Sequence, residues 1–300
     1  MNATVLVTTH ERPDALRLTL RALAKELASM SSSYDIGVLV VDDGSARRGE
    51  NEEVVAEELK QVSHHYIWKT QGGASSARNW GIRALSDPEE VVVIIGDDQI
   101  PGQDFLARHV AAHSRIRSDE KVLVAGFTQW WSGVPVTPFM YWLDHGGPQY
   151  RFSGLKTGWT GVEAFYTSNA SARLHHLRTI GQFDEELFPF DDTDFGLRAK
   201  KLGYRFWFVR DCTTFHNHPQ TLHGYCARMR SMGSQFHHMA QKHPELSLAY
   251  HVRRNNAVVS IVGPLVFPLR HVFERGSWPG LLYWLVTRYS FYIGYRSNSA

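Results

Sequence analysis

Only two cysteines, Cys212 and Cys226, occur among the 300 residues. That is too few for a disulfide framework and fits a reducing cytoplasm. No apolar run reaches the ~20 residues that cross a bilayer. The amino terminus, Met-Asn-Ala-Thr-Val-Leu-Val, lacks the basic region and long apolar core of a secretory signal and reads as a first strand. Neither sign of charge is in excess: 32 basic and 30 acidic residues leave a net charge of +2, which makes no case for nucleic acid as a partner. No Gly-x-Gly-x-x-Gly follows the first strand, where Thr8-Thr9-His10-Glu11-Arg12 stands, so a dinucleotide site is disfavoured. Walker A and Gly-x-Ser-x-Gly sequences are missing too, which argues against a P-loop enzyme and an α/β-hydrolase. Internal repeats and low-complexity segments are also lacking.

What is there is an ordinary globular composition, 43% apolar and 21% charged. The length suits one large α/β domain or two small ones. Short branched strands alternate with amphipathic helices. Thr4 to Thr8, Ile36 to Val41, Tyr66 to Trp68, Val91 to Ile95, Lys121 to Ala125 and Arg205 to Val209 read as strands. Between them, Leu16, Leu20, Leu23 and Leu27 mark one helix face, and Val54, Val55, Leu59 and Val62 another. Such alternation predicts an α/β fold, a mainly parallel sheet flanked by helices. From Thr128 to Tyr166 the pattern turns irregular and aromatic, and two apolar segments, Ala257 to Leu269 and Leu281 to Tyr295, close the chain.

The strand ends carry the chemistry. Val91 to Ile95 stops at Gly96, and Asp97 and Asp98 emerge together at its carboxyl end, the edge where open α/β sheets bind ligands. Adjacent carboxylates repel, and hard oxygen donors suit Mg²⁺ or Mn²⁺; a plain strand end followed by a polar turn competes with that reading. Asp42-Asp43-Gly44-Ser45 repeats the pattern. Gly72 to Asn79 is a glycine-serine loop opening a helix, whose amides favour phosphate and whose Arg78 offers a planar donor fork, or which is simply a connector. Asp191, Asp192 and Asp194 crowd one helix's first turn, where one acid in a cleft would serve as general base; alternatively Asp191 caps and Asp194 pairs with Arg198. Of His216 and His218, only one needs to face a site, and His216 is the better candidate.

Taken together, Val40 to Ser45, Gly73 to Asn79, Asp97-Asp98 with Pro101, Gly181 to Glu185, and Asp191 to Arg198 resemble the family 2 inverting glycosyltransferases of the GT-A fold, over Thr4 to about Gly233. The resemblance implies transfer of a sugar from a nucleotide-diphospho-sugar (a UDP-, dTDP- or GDP-sugar) to a hydroxyl of a glycan, lipid-linked or small-molecule acceptor, with Mn²⁺ or Mg²⁺. It places Thr8, His10, Arg12 and Asp43 on the nucleoside, Arg78 near the base or diphosphate, and Asp97 on ribose or a metal-bound water. Asp98 becomes the metal ligand, with His216 a further metal or diphosphate contact, and Asp192, next to Asp191, the base. Gly96 stands where many members carry an acid. Trp130, Trp131 and Trp159 are expected on the acceptor side, since flat rings stack on apolar sugar faces.

The expected organisation is a catalytic domain over 1–245, with a nucleotide-binding half (1–126) and an acceptor half (127–245), then an amphipathic helical extension over 246–300. From His251 onward six arginines (Arg253, Arg254, Arg270, Arg275, Arg288, Arg296) face one acid, Glu274. Basic residues flanking apolar helices suit an anionic membrane surface, so a cytoplasmic enzyme peripheral to the inner face of the membrane is expected, with packing or dimer contact as the competing reading. A nucleotidyltransferase and a non-catalytic sugar-nucleotide or glycan-binding protein are the alternative functions.

Overall fold

The computed structural model describes residues 2–30, 35–150, 152, 154–245 and 248–297, with side-chain surroundings for all of these except 248–256. Arg253 and Arg254 fall in that exception, and of the expected 245/246 boundary residue 246 lies outside the described ones. In chain order the first elements are β1 (Asn2–Thr9), α1 (Pro13–Ser29), β2 (Asp35–Asp43), α2 (Arg48–Glu58), β3 (His64–Lys69), α3 (Ala74–Ala84), β4 (Val91–Gly96), β5 (Gln99–Pro101) and α4 (Phe105–Ser114). Then come β6 (Val122–Trp130), α5 (Pro138–His145), β7 (Gly158–Thr160), β8 (Ala170–Arg173), α6 (Leu174–Ile180), α7 (Asp191–Lys201) and β9 (Arg205–His216). The chain closes with α8 (Leu222–Lys242), α9 (Leu248–Val266), α10 (Arg270–Phe273) and α11 (Gly280–Ser297).

The chain forms two compact units. The first comprises Met1–Val134, Gly154–Glu185 and Phe195–His218; the second Pro135–Ser153, Glu186–Asp194 and Pro219–Ala300.

The first unit holds a sheet ordered β3-β2-β1-β4-β8-β6-β9-β5, with β7 against β9. Strands β3, β2, β1 and β4 run parallel, so their carboxyl ends share one edge: Thr8 lies beside Val41 and Gly96, Thr9 beside Asp42, and Asp43 beside Lys69. The alternation of strand and helix forecast this half. The other half is mixed, because β8 enters antiparallel between β4 and β6. Buried branched side chains such as Val5, Val7, Val40, Val93 and Ile95 fill one face against Leu16, Leu20 and Leu23 of α1. The opposite face packs Leu6, Val41, Val92 and Ile94 with Phe183, Phe195 and Phe206.

A break in pairing sets where β9 ends. Gly126 lies opposite Val209 but Phe127 opposite Thr213, so Arg210, Asp211 and Cys212 bulge out. A bulge strands backbone carbonyls. The Asn169 side-chain amide donates to Phe127 O at 3.0 Å and Cys212 O at 2.9 Å and so satisfies two of them. Its oxygen lies 2.9 Å from His109 Nε2; His109 Nδ1 and His113 Nε2 both reach Ser171 Oγ, at 2.8 and 2.9 Å.

Burial holds His109 down to about 4 and, with His109 and Arg173 nearby, His113 to about 3. Unfolded histidine titrates near 6.5. Below that pH the unfolded chain takes up protons that the folded chain refuses. Stability is therefore complete above about pH 6.5 and falls as pH drops toward 4, at a slope approaching about 2.7 kcal/mol per pH unit for two groups. Urea unfolding followed by circular dichroism from pH 7 to pH 4.5 is expected to show this fall, with a shallower slope in the H109Q/H113Q double variant.

In the second unit α8 crosses α11 at backbone contact. A Cβ on Gly233 would lie 2.0 Å from Phe291 O, and one on Gly294 would lie 1.9 Å from Arg230 O. Gly294→Ala is expected to lower stability by about 2–3 kcal/mol or more, read as a fall in Tm, because neither backbone can yield without separating the helices. Around the crossing, Phe236 packs on Phe291 and Phe190, and Phe139 on Tyr225 and Tyr283.

Candidate active site

At the carboxyl edge of the parallel strands the two acidic ends have different fates. Asp42 is buried and accepts from the Ser45 amide (2.8 Å), Asn51 Nδ2 (2.8 Å) and Tyr66 Oη (2.6 Å). Burial pushes its carboxyl up, but these donors outweigh it and hold the group below its ordinary range. It knits β2, α2 and β3 together. Asp43 accepts from Lys69 Nζ at 2.7 Å and from the Gly72 and Gly73 amides at 3.0 and 2.6 Å. The leading amides before α3, which the sequence offered to a phosphate, therefore hold this carboxylate. Gly73, at φ 90°, adopts a conformation that favours glycine. Lys69 is a candidate-site residue that motif reading missed; a buried lysine following Tyr66-Ile67-Trp68 at the end of its strand was its signal.

The loop after β1 is clipped to the loop after β2. His10 Nδ1 lies 3.0 Å from the Asp43 carbonyl, and its Nε2 3.2 Å from Gln71. The Glu11 amide donates to Ser45 Oγ at 2.8 Å. This brings Arg12 over the Gly-Asp-Asp turn: Nη1 sits 2.7 Å from Asp98 Oδ2 and Nη2 2.5 Å from Asp97 Oδ1. Asp97 is fully buried, accepts from Thr9 Oγ1 at 2.7 Å, and donates its amide to the Thr8 carbonyl at 3.0 Å. Burial drives its carboxyl up to about 7 against the pull of Arg12, and the Asp98 charge pushes the same way. Asp98 goes the other way: burial opposes ionisation, yet His216, Arg12 and His218 hold it well below the usual carboxylate range. Burial outweighs Arg12 at Asp97, whereas His216, with Arg12 and His218, outweighs burial at Asp98.

Asp98 is the point of convergence. His216 Nε2 lies 3.6 Å and His218 Nδ1 4.0 Å from its Oδ2, and the Asn217 amide donates to its carbonyl at 2.8 Å. The bulge and Asn169 fix the end of β9, where β5 pairs Gln99 with His216. Trp130 stacks on His216, with ring centroids 5.2 Å apart, and His218 stacks on the same imidazole at 5.8 Å. Both histidines of the pair therefore face the site, where one was expected. Arg12 is the cation held between the two carboxylates, 86 residues away in sequence from Asp98.

One carboxylate and two imidazoles converging on one point form a donor set closer to Mn²⁺ than to Mg²⁺, which prefers oxygen. Among the described residues, however, no group of three or more His, Cys, Asp or Glu side chains is arranged to hold a metal ion. Arg12→Gln is expected to lower stability by about 1–3 kcal/mol, read by thermal melting, since it leaves adjacent buried carboxylates short of a cation while the exposed guanidinium is partly screened.

The remaining expected residues lie as follows. Arg78, half-buried on α3, places its guanidinium 5.5 Å above the Phe183 ring. Trp131 is half-buried and lies over Gly133. Trp159 is exposed, stands edge-on to Trp207, and carries Arg205 3.8 Å above its face. It pairs with Trp207 near the start of β9, at the opposite end of that strand from His216.

In the second unit, Asp191 and Asp194 are buried and Asp192 half-buried. Asp194 accepts from His243 at 2.9 Å, with Lys242 at 3.4 Å, and so ties the first turn of α7 to the end of α8. Arg198 donates to the Ile180 and Gln182 carbonyls, each at 2.7 Å. An open groove of about 720 Å³, lined by Tyr141, Trp142, His145, Trp278 and Tyr283, also belongs to this unit. Aromatic density in the irregular region was its sequence signal.

A parallel half-sheet with acids at its carboxyl edge, continued by a reversed strand and a histidine-ended strand, is the nucleotide-diphospho-sugar transferase architecture. Residues 4–159 match the model of the family described as Glycosyl transferase family 2, and the chain belongs to that family; it is a glycosyltransferase. None of the curated proteins matches it. Among solved structures it is similar to a mannosyltransferase, PcManGT from Pyrobaculum calidifontis in complex with GDP-Man and Mn²⁺, at TM-score 0.66 and 15% identity, covering 99% of this chain and 86% of that one. It is also similar to S. aureus TarS 1–349 in complex with UDP-GlcNAc (TM-score 0.59, 16% identity, covering 99% and 90%) and to GalNAc-T7 with UDP, GalNAc and Mn²⁺ (0.53, 15%, covering 73% and 43%). At these identities the likeness is one of fold.

Proposed function

We propose that the protein transfers a sugar from a nucleotide-diphospho-sugar to an acceptor hydroxyl with inversion at the anomeric carbon, with Asp192 as general base and a divalent cation at Asp98. The observation that carries this reading is the convergence of Arg12, His216 and His218 on Asp98 at the ligand edge of the sheet. The GDP-Man and UDP-GlcNAc carried by the similar structures support the donor class.

The loop Thr8 to Arg12 and the Asp43 turn, clipped together through His10 and Glu11, form the floor for the nucleoside. Arg78 supplies a planar donor fork for the diphosphate. Asp98 with His216 would hold Mn²⁺ or Mg²⁺, which when bound neutralises charge on the departing diphosphate. His216, with Arg12 and His218, holds Asp98 ionised; Asp97, kept high by burial, is the neighbouring carboxyl that Arg12 also holds. Asp192 accepts the proton of the acceptor hydroxyl and aligns its oxygen for in-line attack. The half-buried Trp131 ring is assigned to the acceptor, with Trp130, buried against His216, behind it; the acceptor is a glycan, a lipid-linked sugar or a small molecule.

Titration calorimetry with a panel of UDP-, dTDP- and GDP-sugars, with and without Mn²⁺, tests the donor and metal assignments. One nucleotide family is expected to bind, at least tenfold more tightly with Mn²⁺. Metal-independent binding would remove the cation from the account, and binding of none would remove the donor.

A further inference from the structure

Among the described residues no helix is long and apolar enough to cross a membrane, yet one helical stretch of the second unit exposes an almost wholly apolar face. From α9 through α10, Val258, Ile261, Leu265, Leu269 and Val272 are 54%, 69%, 73%, 50% and 53% exposed. On α9, Val258, Ile261 and Leu265 are spaced by three and four residues and share one stripe; Leu269 closes the 3₁₀ turn that follows, and Val272 lies on α10. Ala257, Pro264 and Pro268 are exposed as well. The other side is spoken for, with Val259 and Phe273 buried and Gly263 against the Tyr289 ring. Scattered apolar residues on a surface need no explanation, but a contiguous stripe does.

Charge identifies what covers it. The last fifty residues carry six arginines and one acid. That acid, Glu274, is turned inward: its two oxygens accept from the Leu222 and His223 amides at 2.8 and 3.0 Å and cap α8. The only formal negative charge of the region is thus held by a helix terminus, while His271 and Arg275 are exposed beside the stripe and Arg270 folds over the Phe267 ring at 4.3 Å. An apolar stripe edged by cations, with its lone carboxylate withdrawn, complements the headgroup and acyl boundary of an anionic bilayer.

We propose that α9 and α10 lie in the plane of an anionic lipid surface and dock the enzyme there through Val258, Ile261, Leu265, Leu269 and Val272. A second copy of the chain would favour self-complementary charge across the contact; Arg270 and Arg275, the charged side chains described along this stretch besides the inward Glu274, are of one sign, which opposes that.

Flotation of the full chain with vesicles of phosphatidylcholine alone, and of phosphatidylcholine with 30% phosphatidylglycerol, tests this, with sedimentation velocity run in parallel. The wild type is expected to sediment as a monomer and to float with the anionic vesicles at least tenfold more than with neutral ones, less so as salt rises. Ile261→Asn with Leu265→Asn, at exposed positions, is expected to keep the wild-type melting temperature and lose flotation at least tenfold. Arg270→Gln with Arg275→Gln should erase the preference for anionic vesicles. Equal flotation with both vesicle types, or unchanged flotation in the apolar double variant, would overturn the proposal. So would a wild-type dimer that the same double variant splits into monomers.

Discussion

Replacing Asp192 by Asn is expected to lower kcat by about 10²–10⁴-fold, about 3–5 kcal/mol in barrier, with donor affinity within a few-fold of wild type. The amide keeps the shape and the hydrogen-bonding reach of the carboxylate but cannot take the acceptor's proton. Its neighbours on the same turn are disposed differently. Asp194 is buried and tied to His243 and Lys242, so Asp194→Asn is expected to show itself first in melting temperature. Asp192 is half-buried where Asp191 and Asp194 are buried, which is why the base is proposed there. Steady-state kinetics with calorimetric donor affinity separate the two roles: unchanged kcat in Asp192→Asn would move the base elsewhere.

The second large effect is expected at Asp98. Asp98→Asn removes the charge on which Arg12, His216 and His218 converge. It is expected to cut kcat/KM by about 10²–10³-fold and to abolish stimulation by Mn²⁺, through lost stabilisation of the departing diphosphate. Arg12 keeps Asp97 as a partner at 2.5 Å, so folding is expected to persist. Activity that still rises with Mn²⁺ in this variant would contradict the assignment of Asp98. His216→Ala and His218→Ala distinguish the two imidazoles, and the stacking of Trp130 on His216 predicts the larger loss there.

The parallel half of the sheet was legible because β1, β2 and β4 are runs of branched residues, and β2 and β4 stop at acids and glycine that the register brings to one edge. The other half hid. Strand β8 is Ala-Ser-Ala-Arg, four small or polar residues that carry no apolar signature. Strand β9 reads as ending at Val209, because Arg210 and Asp211 interrupt it; they are the bulge, and the strand resumes to His216. Helix α5 sat unseen in the aromatic stretch, although Thr137 capping Met140 and Pro138 at its first position were a readable start signal.

At the site, the acids were legible and their partners were not. Two adjacent carboxylates called for a cation, and the sequence offered a metal; the folded chain adds Arg12, which only the loop after β1 could bring there. Likewise the glycine loop before α3 promised a phosphate cradle, and Asp43, itself paired with Lys69, claims its amides instead. Pairings between residues so far apart in sequence follow from topology, which periodicity does not encode.

The identity of the leaving group tests sugar transfer most directly. Incubating the enzyme with its nucleotide-diphospho-sugar and acceptor should release nucleoside diphosphate in equal amount to a glycoside whose anomeric proton, by NMR, has inverted configuration. Release of pyrophosphate, or a product that retains the donor's configuration, would contradict the account.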